Sequence, residues 1–121
     1  MEVAMPQNWV ARDPKMIPDD LLVRLLDALQ EVESQALGTR NYSIRKDDVL
    51  VDVHNFGRFD RHKRDLQITI LAHPDSARKE NLDERNDKIV RALQPLMPHG
   101  TTGFIWIHIG TDSSLKVFAG K

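Results

Sequence analysis

TTGFIWIHIG, residues 101–110, alternates with a period of two. In an extended chain Ile105, Ile107 and Ile109 share one side, and Phe104, Trp106 and His108 share the other. A strand resting on a core needs a single apolar face, and the isoleucines supply it. The other face carries two aromatics and an imidazole where a solvated strand would carry Lys, Glu or Thr. Two upstream stretches alternate in the same way. In DVLVDVHNF (48–56), Val49, Val51 and Val53 oppose Leu50, Asp52 and His54. In LQITILAHP (66–74), Leu66, Ile68 and Ile70 oppose Gln67, Thr69 and Leu71, and Pro74 ends the run. One face of each strand is thus built for a core, and the second faces together are neither core-like nor plainly solvated.

What covers the apolar faces is legible between the strands. IPDDLLVRLLDALQEVESQALG (17–38) has Leu22, Leu25, Leu26, Leu29, Val32 and Ala36 at helical spacing. Pro18 suits its first turn, Asp19 and Asp20 complement the positive end of the helix dipole, and Gly38 is the expected stop. DSARKENLDERNDKIVRALQPLMP (75–98) is expected to be a second single helix. Asp75 or Ser76 would be its N-cap, Leu82, Ile89 and Leu93 its stripe (with Asn86 interrupting), and Pro95 its end. MEVAM (1–5) and NWVAR (8–12) are candidate first strands, and SSLKVFAGK (113–121) a short last one. The order β-α-β-β-α-β predicts a two-layer α/β (α+β) domain spanning residues 1–121, both helices on one face of one sheet.

The chain has 121 residues, enough for one domain, with 40% hydrophobic and 29% charged residues. The net charge of −1 argues against a dedicated nucleic-acid binder. There is no cysteine, so disulfides, zinc-thiolate sites and cysteine nucleophiles are excluded. No apolar run approaches the ~20 residues of a membrane span, and the start lacks the basic and apolar regions of a signal peptide. A cytoplasmic protein without a membrane partner is expected.

IPDDLL opening the first helix, ALG closing it, VLVDVHNFG, ITILAHP and GFIWIHI together resemble the tautomerase superfamily, especially macrophage migration inhibitory factor and 5-carboxymethyl-2-hydroxymuconate isomerase. The resemblance covers most of the chain and rests on pattern and spacing. It implies two β-α-β units whose sheets surround a central channel in a homotrimer. Phe104, Trp106 and His108 would then face the channel, a ligand pocket or a subunit boundary. It also implies proton transfer on a small keto–enol carboxylic acid, with an N-terminal proline as general base and arginines holding the carboxylate. Pro6 lies where that proline falls, and Arg40 and Arg45 lie where cationic groups often sit. No cofactor is implied. A ferredoxin-like sheet shares the element order and is distinguished by strand pairing.

Each candidate has a plainer reading beside it. Pro6 follows Met5, and as written its nitrogen is an amide without basicity; Pro6 would be free only if synthesis began at Met5. A strand-edge proline is the structural alternative. Arg40 and Arg45 could be solvated loop residues. Arg58, Arg61, His62, Lys63 and Arg64 form a basic run that could hold an anion or nucleic acid, but Asp60 and Asp65 dilute it and a solvated loop is the simpler reading. His54, His62, His73, His99 and His108 show no i, i+4 ligand spacing, so no metal is expected. Two functions stand side by side: a small isomerase acting on a keto–enol acid, and a binding or assembly module that keeps the fold without proline chemistry.

Overall fold

The computed structural model describes residues 6–39 and 43–121, with Ser76 by its backbone alone. Its elements in order are β1 (Gln7–Arg12), α1 (Asp19–Ala36), a 3-10 turn at Lys46–Asp48, β2 (Leu50–Asn55) and β3 (Leu66–Leu71). Then come α2 (Ser76–Glu80), α3 (Leu82–Leu93), a 3-10 turn at Gln94–Leu96, β4 (Thr102–Ile109) and β5 (Asp112–Ala119). The five strands form one sheet in the order β2-β1-β3-β4-β5. β1 pairs with β2 in parallel, as β3 does with β4; β1 and β3 meet antiparallel at the centre. Two β-α-β halves therefore stand side by side, which is the tautomerase pairing and removes the ferredoxin-like alternative.

The helices cover one face. Leu22, Leu25 and Leu29 of α1 and Ile89 and Leu93 of α3 bury with Val10, Ile68, Ile70, Ile105 and Ile107 in one core. Each fully buried Leu or Ile contributes roughly 1.5–3 kcal/mol relative to exposure. Gly103 is needed on this face: a Cβ there would stand 2.8 Å from the Phe118 ring, so the missing side chain lets β5 close over β4. The β4–β5 hairpin turns at Gly110, whose φ of +59° favours glycine.

Four expectations are refined. The second helix is two segments, broken at Asn81 (φ −135°, ψ 40°). Arg85 holds the break by donating to Asn81 Oδ1 at 2.7 Å. The N-cap at Asp75 is as expected, its carboxylate accepting from Ala77 N–H. The last strand is not short but runs the whole length of β4. Of the two candidate first strands, NWVAR is β1; MEVAM lies outside the described residues.

Polar groups at core positions hold the layers in register. Asn86 donates to the Ile105 and Ser114 carbonyls at 3.1 Å, tying α3 to β4 and β5. Arg12 reaches from β1 to the Ile17 carbonyl, Asp19 and Asn55. Arg78 donates to Leu37 O, and Arg85 to Ala36 O and Gly38 O. α1 has no basic residue in its last turn. The neighbouring helical segments supply the cations that its carbonyl end favours.

Candidate functional site

Register fixes what shares the helix-free face. Paired residues point the same way, so three rows cross it. The first row is Leu50, Gln7, Leu71, His108 and Ser113, at the Pro6 end. The second is Asp52, Trp9, Thr69, Trp106 and Leu115. The third is His54, Ala11, Gln67, Phe104 and Val117. This face is largely uncovered: Trp9 is 47% exposed, Leu50 45%, Leu71 48%, Trp106 39%, Leu115 53% and Val117 57%. Six large apolar side chains on one sheet face make a contiguous patch of the kind that meets a partner or a ligand.

Pro6 is buried at the entrance to β1, and its carbonyl accepts the Leu50 N–H at 3.0 Å. It is thereby fixed at the end of the face where His108 and Leu71 lie. His108 packs on Trp106, ring centroids 4.6 Å apart and tilted by 40°. Phe104 lies two residues further along β4, at the opposite end of the face. The structure therefore joins Trp106 to His108 and places Phe104 in the adjacent row, at the end of the face away from Gln7.

The expected cations do not gather there in the described residues. Arg40 lies outside them. Arg45 caps the 3-10 turn; its side chain is 82% exposed and pairs with Asp48 at 3.5 Å. The Arg45 backbone N–H holds the Asp48 carboxyl below the usual carboxylate range. In the turn after His73 the carboxylate of Asp75 accepts the Ala77 N–H, and this bond lowers its pKa. Thr39 Oγ1 donates to the same carboxylate.

Two hollows mark the face. One, of about 180 Å3, lies over Trp9, Ala11, Asp52, His54, Gln67 and Thr69. The other, of about 310 Å3, has Phe104, Trp106, Leu115 and Val117 as a floor and residues 61–64 as a rim. Gln67 separates them.

One buried polar pair was not singled out from sequence. Glu33 of α1 is fully buried and accepts from Asn8 Nδ2 at 3.1 Å. Burial pushes its carboxyl up to about 8, and the Asn8 hydrogen bond only partly offsets this. Its signal was available: Glu33 follows Leu29 by four residues on the apolar stripe, and Asn8 shares the parity of Val10 on β1.

No protein-family model and no curated protein matches the chain. Among solved structures it is similar to a macrophage migration inhibitory factor-like protein from Entamoeba histolytica, at 14% identity and a TM-score of 0.56. That match covers 93% of this chain and 99% of the other. It is also similar to N1, a member of the cis-3-chloroacrylic acid dehalogenase family, at 15% identity and a TM-score of 0.48, covering 85% and 72%. The first likeness is one of fold.

Proposed function

We propose that this chain, whose fold is the tautomerase-type fold, is the subunit of a homotrimeric isomerase that moves a proton in a small keto–enol carboxylic acid. The observation that supports this reading is the position of Pro6, anchored at the start of β1 next to Gln7, which shares the end row of the helix-free face with Leu71 and His108. A secondary amine freed at that point is a competent general base if its neighbours keep it neutral. It would take a proton from carbon and return one at oxygen, or the reverse. His108 and Trp106 would flank the substrate, and Arg40 or Arg45 of the same or a neighbouring copy would hold its carboxylate. Copies would pack with Trp9, Trp106 and the exposed leucines towards a shared centre. That packing would exclude water from the patch.

The second reading is an assembly or binding module without proline chemistry, in which Pro6 keeps its peptide bond to Met5. Its nitrogen lone pair then belongs to an amide and cannot accept a proton. The two readings separate in one comparison. The 121-residue protein and a chain beginning at Pro6 are assayed on phenylenolpyruvate, each with and without Pro6→Ala. The isomerase reading expects activity in the Pro6-initiated chain alone, with a loss of about 10²–10⁴-fold on Pro6→Ala. Equal rates in all four proteins would leave Pro6 a structural residue.

A further inference from the structure

Asn8 lies on the core side of β1 without solvent exposure, and Glu33 of α1 meets it there equally buried. The Asn8 amide nitrogen has two hydrogens and uses both. One goes to Glu33 Oε1 and the other to the Leu50 carbonyl, each at 3.1 Å. Two acceptors on that nitrogen fix which way the amide points. The two remaining atoms of the pair, Asn8 Oδ1 and Glu33 Oε2, are buried without partners. A carboxylate has no hydrogen to offer either of them. One proton on Oε2 supplies the missing donor and closes an acid–amide pair between groups already joined through Oε1 and Nδ2.

The same amide fastens a corner of the sheet. Leu50 opens β2; its carbonyl takes the second Asn8 hydrogen and its N–H goes to Pro6 O at 3.0 Å. Gln30, one turn before Glu33 on α1, donates to the Val49 carbonyl next door. β2 has no fully buried residue, whereas Ile68, Ile70, Ile105 and Ile107 hold β3 and β4 in the core. The polar ties therefore matter most at this corner.

We propose that Glu33 and Asn8 are a proton-operated fastening: with its proton, Glu33 holds the start of β1 and β2 on α1, and without it that corner opens while the rest of the sheet stays folded. Burial pushes the Glu33 carboxyl up to about 8, the Asn8 bond lowering it in part, so the fastening is closed at neutral pH and opens on the alkaline side. Charged groups on the surrounding elements are engaged elsewhere. On α1, Asp27 faces Lys46 and Glu31 takes the Gln35 amide. In the turn before β2, Arg45 pairs with Asp48, and Asp47 is exposed. On β2, Asp52 accepts from Gln7 and His54 meets Asp60. Arg12 of β1 is bound to Asp19. On α3, Arg85 reaches the Ala36 and Gly38 carbonyls, Asp83 takes Ser114, Asp87 faces Lys116, and Glu84, Lys88 and Arg91 are exposed. β3 and the turn at Gln94–Leu96 carry no charge. The device goes beyond the isomerase reading: it needs neither a free Pro6 nitrogen nor a substrate, and it lies on the helix side of the sheet.

The test uses the full chain and two nuclear magnetic resonance readouts between pH 4 and 9.5. One is the side-chain carboxyl carbon of Glu33. The other is amide protection, with the intrinsic effect of pH on exchange divided out. The carboxyl should titrate near pH 8. Protection of the Leu50 amide should fall by about tenfold or more above that midpoint, while the β3 and β4 amides keep theirs. Glu33→Gln carries an N–H donor at every pH and should keep Leu50 protected throughout. A carboxyl titrating near the ordinary 4.5 overturns the proposal. So does protection at Leu50 that survives the titration, or protection lost equally across the sheet, which is unfolding of the whole chain. An identical loss in Glu33→Gln would assign the opening to another group and also overturn it. If that variant does not fold, the parent's carboxyl midpoint and exchange pattern decide by themselves.

Discussion

At the scale of single residues, Glu33 is the position where burial and charge conflict most. Asn8 satisfies one carboxyl oxygen, while Oε2 of Glu33 and Oδ1 of Asn8 are buried without partners. A proton on Glu33 Oε2 would give the acid a donor for that amide oxygen, as an acid–amide pair requires. Folded Glu33 holds its proton to about pH 8, whereas the unfolded side chain releases it near 4.5. Between those values the native state binds more protons than the unfolded state, so stability falls as pH rises through the window. Glu33→Gln keeps a donor and an acceptor in place. It should be less sensitive to pH between 5 and 8 and more stable than the parent at pH 9, by on the order of a few kcal/mol. Denaturant unfolding at pH 5, 7 and 9 decides; parallel pH profiles for the two proteins would refute it. Such a residue hides in a sequence because a glutamate on a helical stripe looks like an ordinary solvated neighbour until the facing strand is known.

Elements were legible where period and chemistry agreed. The alternation in 66–71 and 102–109 and the stripe of α1 gave strands, helix and the buried face together, because one burial pattern dictates all three. The break at Asn81 was not legible, since KENLDERND is helix-forming in composition and the cause lies elsewhere in the chain. Arg85 reaches the Ala36 and Gly38 carbonyls and Asn81 at once, so the local backbone yields to a tertiary contact. Arg85→Ala would leave those carbonyls without their cation and should cost about 1.5–3 kcal/mol. Amide exchange should then rise first in the last turn of α1 and around residue 81. Exchange that rises uniformly, or no fall in midpoint, would mean that the guanidinium is dispensable. The basic loop keeps its sequence reading, since residues 57–63 are exposed; the fold adds only that Asp60 and Asp65 accept backbone N–H groups. Arg40, outside the described residues, stays a proposal from position alone.

At the scale of the whole molecule, the exposed apolar face asks for cover. A trimer with that face inward should be weakened by Trp106→Lys, because the ammonium would enter a partly dry interface. Light scattering across a dilution series should then show smaller species at concentrations where the parent keeps its mass; identical masses and melting would sink the assignment. The sheet's two borders add a consequence of their own. β2 ends the order on one side and β5 on the other, and each leaves a row of N–H and C=O groups without a strand partner among the described residues. The borders differ in direction and side chains, so copies joined border to border would contact head to tail. Such a chain of contacts either closes on itself or grows into a fibre, and a fixed turn per copy selects which. Damage to one border should then be complemented by damage to the other: mixed in equal parts, two variants crippled at opposite borders still share one sound joint, and stop at pairs.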